Sequence, residues 1–155
     1  MTFERSVKRV EVVALELEPP LVLDAETPLR EVIRQMREQR LGHALLTRDN
    51  KLAGILTEHD VLHRVVGREC SLDQPASGLM QPDPVCVTEN DPVRTAAFHM
   101  HEKGYRHIPV IDSHGHVVGC VRHKDIIRYL VEHLADHVLS LPPNPDQVAS
   151  TPEGG

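Results

Sequence analysis

Apolar residues in this chain alternate between helix-like spacing and short strand-like runs, and the whole succession occurs twice. Leu29, Val32, Ile33 and Met36 lie at i, i+3, i+4 and i+7, and Val93, Ala96, Ala97 and Met100 repeat that stripe. Each set predicts a helix with one face toward a core. Before each helix comes a short apolar run, LVL at 21–23 and VCV at 85–87, then a polar turn and a proline suited to a first helical turn. After each helix come two β-like runs, HALLT and LAGILT in the first copy, HIPVID and HVVGCV in the second. They are separated by DNK and SHG, which predict hairpins. Each copy closes with a helical pattern, Val61, Leu62, Val65 and Val66 in one, Ile126, Ile127, Leu130, Val131 and Leu134 in the other. Both read β-α-β-β-α, an α/β (α+β) unit.

The copies also match residue by residue. Pro28 falls on Pro92, Met36 on Met100 and His43 on His107; after one inserted residue near Gly115, Gly54 falls on Gly119 and Asp60 on Asp125. Units of about 60 residues are marginal alone, so two packed together are expected. The expected division is repeat one with an N-terminal arm at 1–66, a linker with a short helix at 67–81, repeat two at 82–137, and a disordered, proline-rich tail at 138–155.

Composition narrows the function. No 18-residue apolar run exists and charges interleave the first twenty residues, so neither a membrane span nor a secretory signal is expected, and the reading is cytoplasmic. Cys70, Cys86 and Cys120 are odd in number and widely spaced, which disfavours a disulfide framework or zinc ribbon. A net charge of -6, with no Trp, two Tyr and two Phe, argues against nucleic acid as a partner. His59 and His63 flank Asp60 in a zincin-like spacing, yet no third ligand is indicated, and no nucleophile motif is present. No metal site, no catalytic residue and no enzyme activity are expected.

The β-α-β-β-α unit, with GYRHIPVID in its middle and TEHD or RHKD at the start of its last helix, resembles the CBS domain. Two in tandem resemble a Bateman module, and the resemblance spans about residues 10–135. It implies two repeats packed through their sheets about a pseudo-twofold axis, with two clefts for adenosine compounds: AMP, ADP or ATP, the last with Mg2+, or S-adenosylmethionine. It further implies regulation of an unidentified protein target rather than catalysis. Modules of this family pair through their helices, which points to a homodimer with Val65, Val66, Ile127 and Leu130 as contributors.

Site residues follow by position. Asp60 opens a helix, where its carboxylate suits the dipole and can accept both ribose hydroxyls, while Thr57 can offer a hydroxyl to ribose or phosphate; alternatively the two only cap the helix. In the second copy Asp125 is retained, but Arg122 stands where the family has Ser or Thr. There it either grips a phosphate bidentately or fills the pocket. The resemblance directs Arg106 and His107, just before Pro109, to phosphates of the Asp60 cleft, and His43 to the Asp125 cleft. A histidine would add charge only when protonated, so affinity would rise on acidification. Adenine slots would draw on Leu21, Leu41, Gly42 and Ile55 in one copy and Val85, Tyr105, Arg106 and Cys120 in the other, each equally acceptable as core. Leu45 replaces the motif proline in the first copy. A ligand-free docking module and an S-adenosylmethionine receptor are the competing readings.

Overall fold

A computed structural model describes residues 9–66 and 68–139. The expected tail lies outside the described residues from 140 onward. In the first repeat, β1 (Val22–Asp24) pairs parallel with β2 (His43–Arg48), β2 pairs antiparallel with β3 (Lys51–Thr57), and helices α1 (Leu29–Gln39) and α2 (Glu58–Arg64) complete the unit. A short strand not anticipated from the pattern, β4 (Gln81–Pro82), adds to the far edge of β3. In the second repeat, α3 (Val93–Lys103) precedes the hairpin β5 (His107–Ile111) and β6 (Val117–Arg122), and α4 (His123–Leu139) follows.

The hairpin turns behave as their residues demand. Asp49 and Asn50 both adopt positive φ, 51° and 63°, the left-handed pair that closes a two-residue turn between twisted strands; the longer second turn places Gly115 at φ 87°. The strand expected at 85–87 is reduced to a single parallel bridge, Val87 to Val110. Pro82 and Pro84 just upstream carry no N–H to extend a ladder.

Two larger cores form, and each includes a segment from outside its own repeat as the pattern delimits it. The first gathers Leu29, Val32 and Met36 of α1 with Ala44, Leu46 and Leu56, and is completed by Ala76, Leu79 and Met80. The second gathers Val93, Ala96, Ile108, Val110, Val121 and Ile126, and is completed by Val12 and Leu15. The N-terminal arm, which the sequence reading attaches to the first repeat, therefore packs on the second. Val12 N–H donates to the Asp91 carbonyl and Val93 N–H to the Val10 carbonyl, while on the other side Ala76 N–H donates to the Thr27 carbonyl and Leu29 N–H to the Gln74 carbonyl. The two repeats meet through a small third cluster of Leu45, Ile55 and Cys120. Val65 and Leu130, expected on an outer face, instead pack partly buried against the two main cores, whereas Val66 and Ile127 are exposed.

Gly54 sits where β4 crosses β3. A methyl group there would lie 2.8 Å from the Gln81 carbonyl oxygen and against the Met80 side chain, whereas at Gly119, its equivalent, it would come to 3.1 Å from the Leu17 side chain and to ordinary contact, 3.7 Å, with Val110. Gly54→Ala is expected to cost about 1–3 kcal/mol, and Gly119→Ala less. Thermal melts of both variants check this, and the reverse ranking would mean that β4 does not hold this edge.

Candidate functional site

A cavity of about 700 Å3 lies where equivalent corners of the two repeats face one another. Residues 40–43, at the turn from α1 into β2, meet 103–107 from the second repeat, and 57–59 at the start of α2 meet 122–124 at the start of α4. The segment 81–85 lines one further side. Of the residues singled out in the sequence, Gly42, His43, Ile55, Thr57, Val85, Tyr105, Arg106, His107 and Arg122 come together on this cavity, with Leu41 beside them. The others are set back from its lining. Leu21 belongs to the first core and Cys120 to the inter-repeat cluster, and Asp60 and Asp125 are buried behind the wall.

The lining is cationic in an acidic chain. Arg40, Lys103, Arg106 and Lys124 line the cavity against Glu58 and Asp83, and among the described residues none of these four cations forms an ion pair. Such a lining attracts a polyanion. Asp83 adopts a positive φ of 47°, a strained conformation for a non-glycine residue in the segment that borders the cavity.

Asp60 occupies the third position of α2 and closes a reciprocal capping box. Its Oδ2 accepts the Thr57 backbone N–H at 2.9 Å and the Thr57 hydroxyl at 2.6 Å, and Thr57 Oγ1 accepts the Asp60 N–H at 3.2 Å. Oδ1 takes only the Gln81 side-chain amide, at a long 3.3 Å, and Asp60 is 3% exposed. The capping geometry is thus present in full, and one oxygen keeps a weak, exchangeable partner. Gln81 went unanticipated because nothing in the local pattern places a linker residue across β3.

Arg122 turns onto its own repeat's acid. Its Nε donates to Asp125 Oδ2 at 2.8 Å and its Nη2 to Oδ1 at 2.6 Å, while its Nη1 donates to Glu18 Oε2 at 2.6 Å. The guanidinium is thereby engaged by Asp125 and Glu18 on all three nitrogens. Burial pushes the Asp125 carboxyl up, and the bonds and charge of Arg122 more than offset it, so the group stays ionised below its usual range. Glu18 was also missed, since 104 residues separate it from Arg122.

His43 and His107 meet across the pseudo-twofold with ring centroids 4.3 Å apart and their planes tilted by 33°. His43 is 2% exposed, and among the described residues neither of its ring nitrogens has a hydrogen-bond partner. Burial, reinforced by the neighbouring histidine, lowers its pKa to about 3; burial and His123 lower that of His107 to about 4. Both are neutral at physiological pH. In the ligand-free fold desolvation therefore disfavours the charged form of both imidazoles. Burial likewise pushes the Cys120 thiol up to about 12, which makes it an inert core residue.

Comparison with known proteins bears on the family and the fold. A family model described as CBS domain matches residues 12–67 and again 76–132. An uncharacterised 17.7 kDa protein of Acidianus ambivalens is 31% identical over 112 residues, covering 72% of this chain and 67% of the relative. A CBS domain-containing protein of Arabidopsis thaliana is 32% identical over 95 residues, 61% of this chain but 17% of the much longer relative. Among solved structures, a CBS domain protein of Pyrobaculum aerophilum complexed with AMP superposes with a TM-score of 0.72 at 30% identity, covering 82% of this chain and 99% of the other. Among the described residues no helix is long and apolar enough to cross a membrane.

Proposed function

This chain belongs to the CBS domain family, carrying two of its domains in tandem, and from that premise we propose that it is a regulatory receptor for an adenosine nucleotide. The observation that carries this reading is the convergence of four cations, Arg40, Lys103, Arg106 and Lys124, without ion-pair partners among the described residues, on one cavity between the repeats of a chain with net charge -6. The adenosine would lie along 81–85 and Ile55, its ribose displacing the Gln81 amide from Asp60 Oδ1. Its phosphates would extend into the cationic part of the cavity. Four cations suit ADP or ATP better than AMP, the ligand of the Pyrobaculum structure. Neutral His43, whose buried ring nitrogens have no partner among the described residues, would supply a hydrogen-bond donor at the same wall once a ligand reached it. Magnesium would arrive on the nucleotide, since no cluster of potential metal ligands is found among the described residues.

A ligand that touches both repeats favours the relative orientation it fits, by as much as its affinities for the two orientations differ. That shift would be read by a protein partner, or across a homodimer formed through the exposed Leu62, Val66, Ile127, Val131 and Leu134 of the two closing helices and their flanks.

Titration calorimetry with AMP, ADP, ATP and S-adenosylmethionine tests the reading. ATP affinity is expected to fall about tenfold or more in Arg106→Ala, about one charge-assisted contact. Asp60→Ala is expected to weaken every adenosine ligand. Retention of the wild-type affinity in both variants, or silence from all four compounds at millimolar concentration, would favour a docking module that binds no nucleotide.

A further inference from the structure

One of the exchanges between the copies falls beside the buried acid: Thr57 in the first stands where Arg122 stands in the second. Both residues donate a backbone N–H to the acid three positions on, each at 2.9 Å. Their side chains then diverge. Thr57 leaves Asp60 Oδ1 to a long amide contact, whereas Arg122 occupies both oxygens of Asp125, and Arg128 stands 3.3 Å from Oδ1. Four donors thus take up about all the acceptor sites a carboxylate has, and Asp125 is 0% exposed. The arm secures the arrangement from outside, because Glu18 takes the remaining face of the Arg122 guanidinium and the Glu16 carbonyl accepts from Arg128 at 2.8 Å.

We infer that Arg122 makes this module one-sited: clasped between Asp125 and Glu18, it stands in for the ribose that the second cleft would otherwise take, and it decides that one nucleotide binds per chain. The inference rests on the reading that the Asp60 cleft receives adenosine. A nucleotide entering the second cleft would have to replace a bidentate, charge-assisted pair with two neutral hydroxyls, leaving a buried guanidinium and carboxylate apart. That exchange places the second cleft at least about 100-fold below the first in affinity. Arg122, already neutralised by two carboxylates, is also a poor phosphate receptor, which leaves that task to Arg106 and the other cations of the cavity.

Stoichiometry is the test, counted with ATP by calorimetry and by native mass spectrometry. Four chains are compared: wild type, Arg122→Thr, Asp60→Ala and the double variant. The expected counts are one, two, none and one. Threonine at 122 can support Asp125 as Thr57 supports Asp60, and a melting curve confirms folding. Glu18→Gln, which loosens the clasp without altering the cleft floor, is expected to show a second, weaker site, and it carries the test if Arg122→Thr does not fold. Two sites in the wild type would overturn the inference. So would a count that stays at one in both folded Arg122→Thr and Glu18→Gln. A site gained in Arg122→Thr over a silent wild type would support the clasp while removing the Asp60 reading, and silence from every chain would overturn both.

Discussion

Asp125→Ala is expected to lose about 3–5 kcal/mol of stability, because it strands the Arg122 guanidinium in a site where its side chain is 6% exposed. For a chain of this size that corresponds to a fall in melting temperature of roughly 10 °C. Glu18, itself largely exposed, recovers little of the loss. The pH dependence has a definite sign. The folded Asp125 carboxyl titrates below its unfolded value, so its contribution is complete above the ordinary carboxylate range and is lost as pH falls through the lower folded value. A melting temperature within about 2 °C of the wild type would show that the clasp is not held in solution.

Acid unfolding should begin well above the carboxylate range. Unfolded His43 and His107 take up protons near pH 6.5, while in the folded protein they do so only near pH 3 and 4. Between those limits the unfolded state binds more protons, so stability is full above about pH 6.5 and declines as pH falls toward 4, by several kcal/mol for the pair. His43→Leu removes the larger contribution together with two unpartnered buried nitrogens. The ligand-free variant is expected to gain about 1–3 kcal/mol at neutral pH and to show a shallower acid limb. The same change should weaken nucleotide binding, which would mark His43 as a residue kept for a ligand at the expense of the apo fold. Denaturant titrations from pH 7 to pH 4 decide the matter; parallel curves for the two proteins would rule out His43 as the source of acid lability.

What the sequence revealed and what it hid divide along physical lines. The stripes at Leu29, Val32, Met36 and Val93, Ala96, and the hairpin runs around Asp49 and Gly115, encode local periodicity and turn chemistry, and all form as expected. The duplicated register also brought Gly42, His43, Arg106 and His107 to one place, since equivalent positions must face each other across a pseudo-twofold. Contacts that depend on which repeat a segment visits left no local trace. Val12 gives no hint that it packs beside Val93, nor Gln81 that it reaches Asp60, nor Glu18 that it closes on Arg122. The neutrality of His43 was equally hidden, because desolvation is a property of the assembled wall rather than of a motif.

The exchanged leading segments bear on how the molecule is made. Val12 and Leu15 leave the ribosome before either repeat's helices, yet the core they complete includes Ile126, more than a hundred residues later. During synthesis the first repeat can close once Met80 has emerged, while the arm waits with its apolar side chains uncovered until the last helix appears. A gene fragment cut between the copies at residue 67 would therefore yield two halves that each carry, or lack, the other's wedge, and the duplication survives only as an uncut whole.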